Sequence, residues 1–156
     1  MIEAIKTEKS APPVGPYSQA IRAAGFVFVA GEKGMDPATG KIVAGGIAAE
    51  TRQTLENIKG ILEAAGSSLD KVVQSFVFLT DLAKFGEMNA VYAKYFTAVP
   101  PGRTTVEVKA LPVGAHVGHN CFIGDREILA NNALCAGYLD VGDGAFFSGN
   151  AVIHQF

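Results

Sequence analysis

The stretch KVVQSFVFLT, residues 71–80, most constrains the fold, because it reads as a buried strand with a helical segment on either side. It is dense in Val and Phe, which pack well on a pleated sheet. Helices are predicted over residues 48–65 and 82–96, where apolar residues recur on one face of a 3.6-residue period. The first stripe consists of Leu55, Ile58, Leu62 and Ala65, and the second of Phe85, Met88, Tyr92 and Phe96.

Particular residues mark the ends of both helices. Gly66 is placed to end the first helix, and Asp81 is placed to cap the second. The paired prolines at 100 and 101 are expected to end the second helix. Gly60 lies inside the first helix, where it costs about 1 kcal/mol relative to Ala, and this predicts a close contact at that position.

Shorter apolar runs outside this segment predict the other strands. We expect them at 2–7, 26–31, 103–111 and 115–123, and we expect the Pro/Gly-rich stretch 10–20 to be a loop. The order favours an α+β fold in which two helices cover one face of a mixed sheet. The strands are rich in Val, Phe and Ile, so the other face needs a cover, for which a partner subunit is the natural candidate.

The composition argues against several functional classes. The chain has 156 residues, 49% of them hydrophobic and 18% charged, which suits one domain with a core. A net charge of -2 without a basic cluster argues against nucleic-acid binding. The apolar runs are too short to span a membrane and the N-terminus lacks a signal peptide, so we expect a cytoplasmic protein without a membrane partner. Cys121 and Cys135 are expected to be buried, reduced thiols.

Motifs for nucleotide binding, zinc peptidases and serine hydrolases are missing from the sequence. There is no GxGxxG after a strand, no GxxxxGK[ST], no HExxH and no GxSxG. His116 and His119 lie three positions apart, a spacing that invites a metal. Residues three apart on a strand point to opposite faces, which favours surface or core histidines over metal ligands. We therefore expect no metal, and the sequence has no motif for a nucleotide cofactor.

Arg103 is the candidate binding residue that remains. It follows Pro100, Pro101 and Gly102, a rigid turn that fixes where the next strand starts. Arginine offers a planar fork of donors that grips a carboxylate with two hydrogen bonds. An ion pair with a surface Glu is the alternative, and spacing alone favours that alternative.

Five collinear stretches within residues 1–117 resemble the RidA/YjgF family of enamine/imine deaminases. They span about three quarters of the chain, and their combination is specific. The stretches are APPVGPYSQA, FVFVAGEKGMDPATGKIV, QTLENIKGILEAAGSSLDKVVQSFVFLTDLAKFGEMNAVYAKYF, PGRTTVEVKALP and VGAHV.

The resemblance implies a chorismate-mutase-like fold, in which three subunits pack their sheets into a central β-barrel with the helices outside. The sites of such a homotrimer lie in clefts between neighbouring subunits. By the family's motifs, Arg103 binds the substrate carboxylate, and Tyr17, Ala30 and Gly31 line the cleft. The family's Asn on the second helix matches Asn89, for which a structural role is favoured over ligand binding.

The activity implied is cofactor-free hydrolysis of a small 2-imino acid, 2-iminobutanoate or 2-iminopropanoate, to a 2-keto acid and ammonia. The family's last strand usually reads Val-Glu-Ile-Glu-Cys-Ile-Ala, and its second Glu is expected to position or activate the water. This chain has Asn120 at that catalytic position and Gly118 at the first Glu. An amide takes no proton near neutral pH, so we expect weak or absent activity by the usual route. Glu32 and Glu107 are possible substitutes, but both are expected to face solvent or to pair structurally.

Residues 124–156 have no counterpart in the family, which divides the chain into a RidA/YjgF-like domain at 1–123 and an extension. The extension is either a natural addition or the product of a displaced reading frame or lost stop codon, and it reads as a hairpin or a loosely held segment. The alternative to a deaminase is a non-catalytic trimer that binds small carboxylates. The acidic balance disfavours a ribonuclease or translation-inhibitor role.

Overall fold

The computed structural model describes residues 2–121 with their side chains, the backbone of 122 and 123, and the backbone of four short strands farther along the chain. The chain divides into two compact units, Met1–Ile123 and Gly124–Phe156. The first unit contains the predicted sheet and helices. Among the described residues, no helix is both long and apolar enough to cross a lipid bilayer.

A seven-stranded mixed sheet forms the first unit's framework. Its strands are β1 Glu3–Ile5, β2 Ala20–Ala23, β3 Phe26–Val29, β4 Glu32–Lys33, β5 Gln74–Leu79, β6 Gly102–Glu107 and β7 Val117–Ile123. They pair in the order β1-β2-β3-β7-β5-β6, and β4 pairs with β7 as well. Strands β5 and β6 are parallel, and the other pairs are antiparallel. The mixed sheet is therefore confirmed.

Two helices, α1 Gly46–Ala64 and α2 Phe85–Tyr92, cover one face of this sheet and confirm the α+β class. The predicted stripe of α1 is buried: Leu55, Ile58 and Leu62 have no exposed surface and belong to the core cluster. Burial of such a stripe supplies most of a helix's stability in a small domain.

Gly66 and Gly60 have the roles expected of them, whereas Asp81 caps the 3-10 turn that leads into the second helix and not the helix itself. Gly66 follows α1 with a φ of 72°, a left-handed conformation that favours glycine at this position. The Asp81 side chain accepts a hydrogen bond from the backbone N–H of Ala83 at 2.9 Å. A Cβ added at Gly60 would lie 2.6 Å from the Cβ of Lys9, so the close contact is confirmed.

The second helix is shorter than the predicted span of 82–96. Residues 82–84 form a 3-10 turn before it, and the helix ends at Tyr92, well before the prolines. The Tyr95 N–H bonds the Tyr92 carbonyl at 3.0 Å, as in a turn. Phe96 is nevertheless buried, with its ring centroid 4.5 Å from that of Tyr92. The apolar stripe continues because Phe96 packs on the core, although the helix has ended.

The strands also differ from the prediction in length and number. Every predicted strand is present but at least two residues shorter than expected. The sequence pattern did not indicate β2, because the run AIRA is short and directly follows the Pro/Gly-rich loop. The two-residue strand β4 begins where the expected strand 26–31 has already ended.

The register of the sheet determines which side chains share a face, because directly opposite residues on paired strands point the same way. Ser75 lies opposite both Cys121 and Arg103, and Val77 lies opposite His119. Apart from Arg103, which is half-buried, these residues are buried. The face that the helices cover therefore carries both His119 and Arg103.

Alternate residues of the same strands point to the other face. Asn120 lies opposite Phe76, and Phe76 lies opposite Thr104. On this face Phe28 is 37% exposed and Val106 is 39% exposed. These exposed fractions agree with the expectation that the helices cover only one face of the sheet and leave apolar side chains on the other face partly exposed.

The second unit contains the four remaining strands, whose backbone alone is described. Strand β8 Ile128–Leu129 pairs in parallel with β10 Phe146–Phe147, and β9 Leu134–Ala136 pairs in parallel with β11 Val152–His154. Parallel pairs are not hairpins, so these four strands do not form the hairpin that the sequence suggested. The predicted state of the Cys135 thiol lies outside the described side chains.

Candidate functional site

Arg103 lies on β6, an edge strand, with its guanidinium on two aromatic rings. The guanidinium carbon is 4.6 Å from the ring centroid of Tyr92 and 5.5 Å from that of Phe85. The Tyr92 hydroxyl and Ser75 Oγ form a buried hydrogen bond of 2.7 Å, which fixes the ring beneath the cation. Within residues 2–121, no carboxylate forms an ion pair with Arg103. The surface Glu pairing that spacing favoured is therefore not found there, and the cation is positioned to take an anion.

The turn before Arg103 is set by close packing at Gly102. A Cβ at this position would lie 2.5 Å from Gln74 Oε1, so a larger residue would displace that side chain. The Gly102 N–H donates to the Val73 carbonyl at 3.0 Å, which starts β6 in parallel register beside β5. Arg103 then lies opposite Ser75, beneath α2.

His119 is buried beside this aromatic pair. It is 1% exposed, and its ring stacks on Tyr92 with 6.0 Å between centroids. Within the described residues, neither ring nitrogen has a hydrogen-bond partner. Burial, together with the charge of Arg103, lowers the pKa of His119 to about 3, so its ring is neutral at ordinary pH. The sequence did not reveal this proximity, because it depends on strand register.

The two histidines do not share a site. The exposed His116 places Nδ1 2.6 Å from Oε1 of the buried Glu50, whose Oε2 accepts the His116 backbone N–H at 2.8 Å. His119 is a core residue on β7. Among the described residues, no three His, Cys, Asp or Glu side chains are arranged to hold a metal ion. Cys121 is buried as predicted, and burial raises the pKa of its thiol to about 12.

A second group of predicted residues lines a small, partly open hollow beside β4. Tyr17 and Glu32 face this hollow together with Pro12, Pro13 and Val14. The hollow's wall is the loop before β2, and the buried Gln19 holds that loop in place. The Gln19 amide donates to the carbonyls of Thr7, Ser10 and Ala11 at 3.0 to 3.1 Å, and its oxygen accepts the Thr7 N–H at 2.8 Å.

Glu32 is the buried carboxyl group of this hollow. The expectation was that Glu32 either faces solvent or pairs structurally. It is 8% exposed, so the solvent-facing alternative is wrong. Ser10 Oγ donates to its Oε2 at 3.1 Å. Burial raises the pKa of Glu32 to about 7, although the Ser10 hydrogen bond and the charge of Lys33 act in the opposite direction. Glu107, the other possible substitute, is exposed and accepts the Leu82 N–H at 2.8 Å, so its role is structural.

Three further predicted residues lie near these two groups. The backbone N–H of Ala30 bonds the Gln19 carbonyl at 2.9 Å, which ties the end of β3 to the loop. Gly31 is exposed, and a Cβ added there would have open space around it. Asn89 is half-buried on α2, one turn after Phe85, and its carbonyl accepts the Ala93 N–H at 3.0 Å.

Asn120 lies on the opposite face of the sheet from Arg103. It is half-buried opposite Phe76, and its amide oxygen has no hydrogen-bond partner among the described residues. Because neighbouring residues on a strand alternate between faces, Asn120 points away from His119 and from Arg103. A single chain therefore does not bring the predicted anchor and the predicted catalytic position together.

Arg103 and the hollow are also separate within one chain. Arg103 is on β6 and Glu32 is on β4, with β5 and β7 between them, a separation of about 14 Å at three strand spacings. Arg103 is not among the residues that line the hollow. A short-chain acid is too small to contact both groups across this distance.

Known proteins match most of the chain, including the segment that carries these groups. The family model described as Endoribonuclease L-PSP matches residues 7–121, which include Gly118 and Asn120. A RutC family protein of Pyrococcus horikoshii is 54% identical over 112 residues, covering 72% of this chain and 89% of that protein. The chloroplastic Reactive Intermediate Deaminase A of Arabidopsis thaliana is 44% identical over 119 residues, covering 76% of this chain and 64% of that protein.

Solved structures of related proteins also superpose on about four fifths of this chain. RidA from the Antarctic bacterium Psychrobacter superposes with a TM-score of 0.76 at 39% identity, covering 79% of this chain and 99% of that one. The TdcF protein of E. coli, solved with bound serine, superposes with a TM-score of 0.74 at 32% identity, covering 79% of this chain and 98% of that one.

Proposed function

Because the chain belongs to the RidA/YjgF family, whose members include a reactive intermediate deaminase, we propose that it hydrolyses a small 2-imino acid to the 2-keto acid and ammonia. The proposed substrates are 2-iminobutanoate and 2-iminopropanoate. The observation that carries the proposal is the guanidinium of Arg103, held on Tyr92 and Phe85 with no carboxylate paired to it within residues 2–121. Serine in the related TdcF structure is also a small carboxylate.

Arg103 would hold the substrate carboxylate with two charge-assisted hydrogen bonds. The carbon of a protonated imine is already electrophilic, so the reaction needs orientation and a water molecule and requires no cofactor. The aromatic support restricts the guanidinium to one orientation, so less freedom is lost when the substrate binds.

We further propose that the site is completed in a homotrimer. Arg103 and Glu32, which lines the hollow with Tyr17, are about 14 Å apart at three strand spacings within one chain. A neighbouring protomer can bring a second hollow against Arg103. The partly exposed face with Phe28 and Val106 would be covered by the same assembly. In this arrangement Ala30 and Gly31 belong to one wall of the cleft, and Asn89 supports α2 beneath the other.

A coupled assay tests the proposal. An amino-acid dehydratase supplies 2-iminobutanoate in the presence of semicarbazide, and the protein should lower semicarbazone formation by hydrolysing the imine first. Arg103→Ala should lower kcat/KM by about 100-fold, since a hydrogen-bonded ion pair of this kind contributes about 3 kcal/mol. Arg103→Lys keeps the charge without the fork, and Arg52→Ala, at an exposed position of α1, is the matched control.

A second candidate function is supported by Asn120. This residue replaces the family's carboxylate, so a trimer that binds 2-keto acids without turning over an imine remains a separate proposal. Calorimetry with 2-oxobutanoate distinguishes the two. Binding that depends on Arg103, in a protein that does not hydrolyse the imine, would favour the binder. The net charge of -2 gives no support to a ribonuclease role.

A further inference from the structure

Glu32 is the carboxyl group best placed to take part in proton transfer. It is buried within the wall of a hollow that also contains Tyr17, a residue that the family resemblance assigns to the cleft. Glu32 directly follows Gly31, which the family resemblance also assigns to the cleft. A buried carboxyl group in a concave site is a combination that enzymes use for acid–base chemistry.

We propose that Glu32 is the general base of this chain's deaminase reaction, acting across the proposed trimer interface on a substrate held by Arg103 of the neighbouring protomer. The amide of Asn120 cannot perform this role. This inference rests on the proposed function. The two residues lie in different places. Asn120 points to the face of the sheet opposite Arg103, whereas Glu32 lines the hollow.

Water attacks the carbon of the protonated imine, a C–O bond forms, and the π electrons move to nitrogen. The Glu32 carboxylate takes one proton from that water, which gives a neutral carbinolamine. The Glu32 carboxyl then returns the proton to the amine nitrogen. The C–N bond breaks as the hydroxyl becomes a carbonyl, and the hydroxyl proton leaves with ammonia as ammonium.

The surroundings of Glu32 suit a group that both takes and returns a proton near neutral pH. Burial raises its pKa to about 7, where the two forms are comparably populated. Ser10 Oγ donates to Glu32, and the Lys33 ammonium acts on it through its charge. Tyr17 lines the same hollow, and His119 lies opposite Glu32 in the β4–β7 pair. The His119 ring is neutral in this range, so Lys33 is the nearby cation that shifts the balance.

Two variants test this role. Glu32→Gln should lower kcat/KM by about 100-fold, the contribution of a general base, while calorimetric binding of 2-oxobutanoate is retained. Glu8→Gln, which removes an exposed carboxylate from the same N-terminal segment, is the matched control and should leave both quantities unchanged. Circular dichroism shows whether each variant is folded.

The pH profile gives a second readout that a purely structural carboxyl group would not change. After subtraction of the uncatalysed rate, kcat/KM of the wild type should rise with pH through about 7, as Glu32 ionises. Ser10→Ala removes the hydrogen bond that favours the carboxylate, so it should move this rise to higher pH.

The possible outcomes separate the two proposals. A wild type that does not accelerate imine hydrolysis overturns both. A wild type that is active, with Glu32→Gln equally active over the same pH range, overturns the role of Glu32 and leaves the deaminase function standing. A large loss in Glu32→Gln with 2-oxobutanoate binding intact, together with the shift in Ser10→Ala, supports both.

Discussion

Glu32→Gln should abolish the pH dependence that this carboxyl group gives to folding stability. The carboxyl has an ordinary pKa of 4.5, and burial raises the pKa to about 7 in the folded chain. Below pH 4.5 the group is protonated in both states. Between 4.5 and 7 the unfolded chain releases the proton and the folded chain keeps it, so the free energy of unfolding falls as pH rises.

The size of this effect follows from the two pKa values. A shift of about 2.5 units at about 1.4 kcal/mol per unit corresponds to a loss of about 3 kcal/mol, complete above pH 7. The Gln side chain is neutral at every pH and retains an oxygen that can accept from Ser10. We therefore expect the variant and the wild type to have similar stability near pH 4.5, and the variant to be more stable by about 3 kcal/mol at pH 8.

Urea unfolding followed by circular dichroism across this pH range measures the difference. Protein concentration is held constant, because assembly makes stability depend on it. Glu8→Gln serves again as the control, since its carboxylate is exposed. If the difference between Glu32→Gln and the wild type does not change with pH, the burial argument for this residue is refuted. A variant that is more stable at pH 8 yet inactive would indicate a carboxyl group kept for chemistry at the expense of stability.

Three further substitutions test the packing around the site. His119→Ile removes two buried ring nitrogens that have no partner among the described residues, and it should raise the free energy of unfolding by about 1 kcal/mol in urea titrations. A loss of stability would show that the ring has an important partner. Tyr92→Phe should cost about 1–2 kcal/mol, because the buried Ser75 hydroxyl loses its 2.7 Å partner, and adding Ser75→Ala should recover part of that cost. Gly60→Ala should lower Tm despite a helix-propensity gain of about 1 kcal/mol, because its Cβ meets Lys9; an increase in Tm would contradict the close contact.

Local periodicity was sufficient to predict the helices and most strands. The α1 stripe is buried because its spacing matches a helix, and the Asp81 cap depends on neighbouring residues alone. Periodicity also misled in one place: Phe96 packs on Tyr92 after the helix has ended, so burial continued without helical backbone.

The arrangement of the site could not be predicted in the same way, because it depends on contacts between distant segments. Whether Asn120 and Arg103 share a face is decided by the registers of β7 on β5 and of β5 on β6, which no local pattern specifies. Glu32 looks like a surface residue after Gly31, and it is buried because the loop held by Gln19 folds over it. The hydrogen bond from Ser10 to Glu32 spans 22 residues of sequence.

The most direct test of the account is complementation between two inactive variants. Arg103→Ala removes the anchor, and Gly31→Trp fills the cleft from a position where the chain itself leaves open space. If each site combines Arg103 of one protomer with Gly31 of the next, every mixed trimer has one intact site, and equal co-refolding restores about a quarter of wild-type activity. Activity no higher than that of the two variants measured separately would contradict a site shared between protomers.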